Sequence, residues 1–159
     1  MKRIEKVLKL RADKLLEASN QLMLDIQRDY PEDAFVNYQT AWSFDVLGLE
    51  NEAIPYYEKA IILGLDNKDE SKAYIGLGST YRTIGEYQKS EKVFQEGIAK
   101  HPNFKALQVF YAMTLFNLKK HEDSIGQLLD VIISSTKDES IIEYERAIHF
   151  YKDKLHLVW

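Results

Sequence analysis

SKAYIGLGSTYRTIGEYQKSEKVFQEGIAKHPNF, residues 71–104, decides the fold. Leu77, Tyr81 and Ile84 recur at helical spacing, a break follows near Gly85, and a second stripe of Val93, Phe94 and Ile98 takes over. The stretch therefore predicts two antiparallel helices. Small residues at Gly78, Ser90 and Gly97 mark where the helices approach too closely for a larger side chain, and Phe94 fills the space between them.

The pattern recurs. Shifting by 34 residues to the segment from Lys105 pairs Gly78 with Ala112, Tyr81 with Leu115, Ser90 with Ser124 and Phe94 with Leu128. A copy from Ala34 puts Ala41, Phe44, Gly48, Ala53, Tyr57 and Ala60 on the same template, at a spacing of 37. Its three extra residues are assigned to the turn-forming stretch GLDNKDE after the apolar run AIIL. A weaker copy fills the N-terminus through Val7, Leu10, Ser19, Met23, Ile26 and Pro31. Pro55 is placed within about the first turn of its helix, where its missing N–H has no intrahelical partner. Residues 139–159 read as one final helix with an apolar face of Ile141, Ile142, Ala147, Ile148, Phe150 and Tyr151, capping the stack. The expected organisation is a single all-α domain over 1–159, with units at 1–33, 34–70, 71–104 and 105–138, a capping helix at 139–159, and turns near Lys14, Gly48, Gly85 and Lys119.

Tyr74, Leu77, Gly78, Tyr81, Gly85, Tyr87, Phe94 and Pro102 together resemble the tetratricopeptide repeat (TPR), a helix-turn-helix unit of 34 residues. The resemblance covers nearly the whole chain. Asn37 and Thr40 depart from it by replacing larger residues, Gly97 replaces the usual alanine, and Lys14 and Lys119 replace turn glycines. The stretches AWSFDVLGLENEAIPYYEKAIILGL, AYIGLGSTYRTIGEY and FYAMTLFNLKKHEDSIGQLL also resemble small stand-alone bacterial proteins of this family. The resemblance implies an α-α superhelix, a TPR solenoid whose first helices line a concave groove, and a role in protein–protein interaction.

Composition narrows the function. With 21 Lys and Arg against 25 Asp and Glu, a formal net charge of −4 supplies no basic field for nucleic acid. The absence of cysteine excludes a thiol nucleophile, a disulfide framework and a zinc ribbon. Glu5, Lys6, Lys9 and Arg11 interrupt any signal-like apolar run, and the longest uncharged stretch, Ala106 to Leu118, is too short to span a bilayer. A cytoplasmic protein without a membrane or nucleic-acid partner is expected.

The groove implied by the resemblance takes Tyr38, Trp42, Asp45 and Val46 from one copy, Ile75, Ser79, Arg82 and Thr83 from the next, and Val109, Met113, Phe116 and Asn117 from the last. Aromatic and aliphatic surface with a few polar groups suits a peptide or an amphipathic helix of a partner protein. The competing reading packs Trp42, Met113 and Phe116 on neighbouring repeats. Asp45 and Arg82 hold equivalent positions, so they are expected to be neighbours, either as an ion pair or with Asp45 orienting Arg82 toward a ligand carboxylate. The chaperone-tail clamp known in this family is not expected, because its positions hold Tyr38, Trp42, Gly76, Ala106 and Phe110. No catalytic residue, metal or cofactor is assigned: His149 and His156 share a helical face with Glu145 and Asp153 but lack ligands from a second element, and His101 and His121 read as surface residues. GLGST falls inside a helix, where Gly76 and Gly78 serve packing. An interaction adaptor is the leading reading, a structural subunit using its outer helices the alternative, and a monomer or weak homodimer the expected state.

Overall fold

The computed structural model describes residues 2–159. It contains α1 (Lys2–Ala12), α2 (Leu16–Asp29), α3 (Ala34–Asp45), α4 (Glu50–Leu63), α5 (Asn67–Thr83), α6 (Tyr87–Lys100), α7 (Lys105–Asn117), α8 (His121–Ser135), α9 (Glu139–Glu143) and α10 (Glu145–Tyr151). No strand occurs among the described residues, and no helix is long and apolar enough to cross a membrane. Each helix from α1 to α7 packs on its successor, while α5 also touches α3 and α7. Among α1 to α8 the odd-numbered helices form one wall of an α-α superhelix and the even-numbered helices the other.

The four turns fall where the repeat register puts them, at Lys14, Gly48, Gly85 and Lys119, with φ of 61°, 69°, 84° and 62°. This left-handed backbone reverses the chain within a few residues, and glycine adopts it without steric cost. The two lysines reach the same conformation without that freedom, so the turn is enforced by the packing of the helices it joins.

Inside each pair a second device recurs. Ser19 Oγ donates to the Val7 carbonyl at 3.1 Å, Ser90 Oγ to the Gly78 carbonyl at 2.7 Å, and Ser124 Oγ to the Ala112 carbonyl at 2.7 Å. All three hydroxyls bond a carbonyl twelve residues upstream, so the small residue allows close approach and also satisfies its own buried oxygen. Ala53 stands in this register in the α3–α4 pair and only fills space. Gly78 shows how tight the approach is: a Cβ there would lie 2.6 Å from the ring of Phe94, itself fully buried.

The core is a row of three clusters along the stack, the middle and last bridged by Ile61 and Val93. Val7, Met23, Ile26 and Val36 begin it; Tyr38, Ala41, Tyr57, Ala60, Leu77 and Tyr81 occupy its middle; Tyr74, Phe94 and Leu107 join α5, α6 and α7. Helix α3 is enclosed on nearly every side and carries buried polar groups that bond locally, although Asn37 Oδ1 has no partner. Asn37 Nδ2 donates to the Pro31 and Asp33 carbonyls, Thr40 Oγ1 to Val36 O, and Ser43 Oγ to Thr40 O while accepting from Asn20. These bonds explain why Asn37 and Thr40 stand where the family has larger residues.

Three local expectations are corrected. The extra residues before the 71–104 copy are not all loop: only Gly64 to Asp66 connect α4 to α5, and α5 runs to 17 residues against 12 in α3. Asp66 caps that added turn by accepting from the Asp69 N–H at 2.8 Å, which makes helix the better solution for NKDE. Pro55 is the sixth residue of α4, beyond the first turn. It leaves the Asn51 carbonyl without its usual donor on the exposed side of α4, where both residues face solvent. The third concerns the C-terminal segment, which is two short helices and a tail, with no residue of 139–159 buried. Lys152 reaches both carboxylate oxygens of Asp130 at 2.7 Å and His156 meets Glu122 at 2.8 Å. The segment is held on α8 by charge because α8 presents these carboxylates to it. Its apolar side chains therefore stay in solvent, with Phe150 half exposed and Trp159 79% exposed.

Candidate functional site

Helices α3 and α5 turn one face away from the core, and a concave cavity of about 420 Å³ lies between them. Among the residues lining it are Tyr38, Trp42, Asp45, Ile75, Ser79 and Thr83, six of the side chains singled out by register. Val46 lines it as well, and the register did not anticipate Glu50, Tyr57, Lys72 and Thr80, which lie outside the inward-facing positions. Met113, Phe116 and Asn117 stand on α7, beyond Arg82.

The apolar members are available. Trp42, Met113 and Phe116 are 39%, 41% and 61% exposed, so part of each side chain stays open. Tyr38 is buried, its ring 6.3 Å from that of Tyr57, and burial, with Asp69 adding to it, pushes its hydroxyl up to about 12. It floors the cavity, whereas Trp42 projects at the rim.

Asp45 and Arg82 do not pair. Tyr57 Oη donates to Asp45 Oδ2 at 2.5 Å and Thr80 Oγ1 to Oδ1 at 2.9 Å, so both carboxylate oxygens are occupied. Tyr57 comes from the outer helix α4, and the inward-facing register of α3 and α5 alone gives no sign of it. Burial raises the Asp45 carboxyl above its ordinary range, an effect these two hydrogen bonds oppose and Glu50 reinforces. Arg82 turns instead to α7, where its Nη1 donates to Asn117 Oδ1 at 3.4 Å. Its Nε is buried without a partner, as is Ser79 Oγ on the same helix.

Arg11 belongs to the site although the groove positions assigned by register begin at Tyr38. Its guanidinium lies over the Trp42 ring at 4.2 Å, and its Nη1 donates to Gln39 Oε1 at 3.1 Å. Burial lowers its pKa, with the neighbouring phenols of Tyr38 and Tyr57 acting in the other direction, and its Nε too is buried without an acceptor. The signal was present: Arg11, Asp45 and Arg82 occupy one register position, 34 and 37 residues apart.

The histidines lie elsewhere. His149 is 3.8 Å from Asp130 and from Glu145, while His156 meets Glu122, so the two imidazoles settle on separate carboxylates. His101 bonds Glu70 at 2.8 Å and ties the end of α6 to α5, a structural contact where a free surface residue was expected. A larger cleft of about 760 Å³ opens at the N-terminal end beside Ile4, Tyr30 and Phe35. Its Arg3 is already paired with Asp29 at 2.5 Å, and none of its lining residues has a buried side-chain polar atom without a partner.

The model of the family described as Tetratrico peptide repeat matches residues 34–155. Superkiller protein 3 of Saccharomyces cerevisiae is 26% identical over 106 residues, a match covering 62% of this chain and 7% of that protein. The chain thus spans a small fraction of its curated relative. Among solved structures, YrrB, described as a TPR protein with an unusual peptide-binding site, superposes with a TM-score of 0.70 at 16% identity, over 96% of this chain and 77% of that one. MamA superposes with a TM-score of 0.67 at 16% identity, over 93% and 94%. At such identities the superpositions speak for the fold.

Proposed function

We propose, on the premise that this chain belongs to the tetratricopeptide repeat family, that it is a non-enzymatic interaction module whose concave face binds a peptide or helix of a partner protein. The observation that carries this reading is the coincidence, on the inner helices alone, of exposed Trp42, Met113 and Phe116 with the orphaned polar atoms of Ser79, Arg11 and Arg82. Packing normally removes the first kind of group and satisfies the second, so together they mark a face that packing within the chain leaves incomplete. The peptide-binding site of YrrB supports the reading by analogy of fold. The four helix pairs and the C-terminal segment are taken as one domain, with no pair separable from its neighbours.

The alternative, a structural subunit joined through its outer helices, has its own observation: Ile62 on α4 is 83% exposed. Affinity capture with two variant baits, each compared with the wild type, separates the two. Met113→Ser with Phe116→Ser strips the inner face at exposed positions, and Ile62→Ser with Ile125→Ser and Ile132→Ser strips the outer face. Loss of the captured partner with the first bait and retention with the second is the expected result. The reverse pattern transfers the function to the outer surface.

A further inference from the structure

Four of the chain's arginines divide in an unusual way. Arg3 and Arg28, at the surface, pair with Asp29 and Asp25. Arg11 and Arg82, the half-buried ones, have no carboxylate within ion-pair distance among the described residues. Solvation favours the opposite arrangement, because a cation that gives up water needs an anion in return. Both instead hold neutral amide oxygens, Gln39 for Arg11 and Asn117 for Arg82, and both leave Nε buried and unbonded. The Asp45 carboxylate forms no ion pair with either and holds the hydroxyls of Tyr57 and Thr80 instead.

Resting on the proposed groove, we infer that its ligand is an acidic extended segment of a partner, with one carboxylate seated on Arg11, a second on Arg82, and an apolar side chain between them against Trp42 and Ile75. Partial desolvation favours this pairing: each guanidinium has already lost part of its hydration, and a carboxylate reaching its Nη edge forms a charge-assisted bond. The amides of Gln39 and Asn117 hold the two forks in place without neutralising them. The position opposite Asp45 is disfavoured for a third acid, so the motif is acidic, then apolar, then acidic. Arg11 and Arg82 stand on α1 and α5, two interhelical steps of about 8–10 Å apart, which an extended chain crosses in about five or six residues.

The test is selection of displayed random dodecapeptides on the full chain, followed by titration of synthetic winners. Enrichment of two Asp or Glu residues about five or six apart, flanking an aliphatic or aromatic residue, is expected. Arg11→Gln and Arg82→Gln should each weaken such a peptide about tenfold, and replacing its acids by amides should do the same to the wild type. Arg82→Lys should restore part of the loss. Should an arginine variant fail to fold, the acid-to-amide peptide and the fall of affinity with salt on the wild-type chain still decide the matter. Enrichment of neutral or basic peptides, or acidic peptides bound equally by both glutamine variants, overturns the charge inference while leaving the groove standing. Peptides bound equally by a Trp42→Ala variant, or a selection that enriches nothing, overturn the groove itself.

Discussion

Replacing Phe94 by alanine should cost about 3–5 kcal/mol, a large share of the roughly 5–15 kcal/mol that holds a domain together. Phe94 is fully buried, and its ring meets Tyr74 of α5 and Leu107 of α7, so one side chain joins three helices. The cavity left by its removal is bounded by helix backbone on the Gly78 side and cannot collapse freely. Gly78→Ala supplies an internal check. Alone it should destabilise by about 1–3 kcal/mol, since a Cβ 2.6 Å from an immobile ring forces the helices apart. Combined with Phe94→Ala it should be neutral or stabilising, because the added methyl enters the vacated space and alanine is the better helix former. Urea unfolding of the two single variants and the double variant measures the coupling. A loss below about 1 kcal/mol for Phe94→Ala, or strict additivity, would contradict the packing described.

The second large effect is on binding. Trp42→Ala with Arg82→Ala should weaken the captured partner by at least about 2 kcal/mol, near thirtyfold in Kd, as expected where an aromatic and an arginine anchor one ligand. Both changes should leave the fold intact. Trp42 is 39% exposed, and its truncation removes the stacking surface of Arg11 but no core contact between repeats. Arg82 gives up one 3.4 Å bond to Asn117, and Asp45 keeps its two donors. Isothermal titration beside a thermal melt separates binding from stability. A change under threefold, with an unaltered melt, would remove Trp42 and Arg82 from the interface.

The fold was legible because its determinants are local and repeated. Each unit restates the same small and bulky positions, so an error in one copy is corrected by the next; even Pro55 and the 37-residue spacing disturb only the copy that holds them. The helix that replaced the expected loop at NKDE was signalled by Asp66 at its cap, a cue outweighed by the turn-forming look of GLDNKDE. The lining of the α3–α5 cavity was legible in part, its wiring was not. Register placed Asp45 and Arg82 on one wall but says nothing of Tyr57, which reaches Asp45 from the opposite helix of its own pair. Arg11 escaped because the first copy is the weakest, although its register with Asp45 and Arg82 was there to be read. The C-terminal segment failed for a related reason. It has no second copy to check against, and its apolar residues suggested a packed face while Asp130 and Glu122 on α8 attracted Lys152 and His156.

The central claim, that the inner wall is the working surface, is tested most directly by photo-crosslinking in the cells that make the protein. A photoreactive side chain is placed in turn at Thr83 and Met113, exposed on the inner helices, and at Ile62 and Gln88, exposed on the outer ones. Covalent adducts to a common partner from Thr83 and Met113, and none from Ile62 or Gln88, are the predicted result. Adducts from the outer positions alone would contradict it.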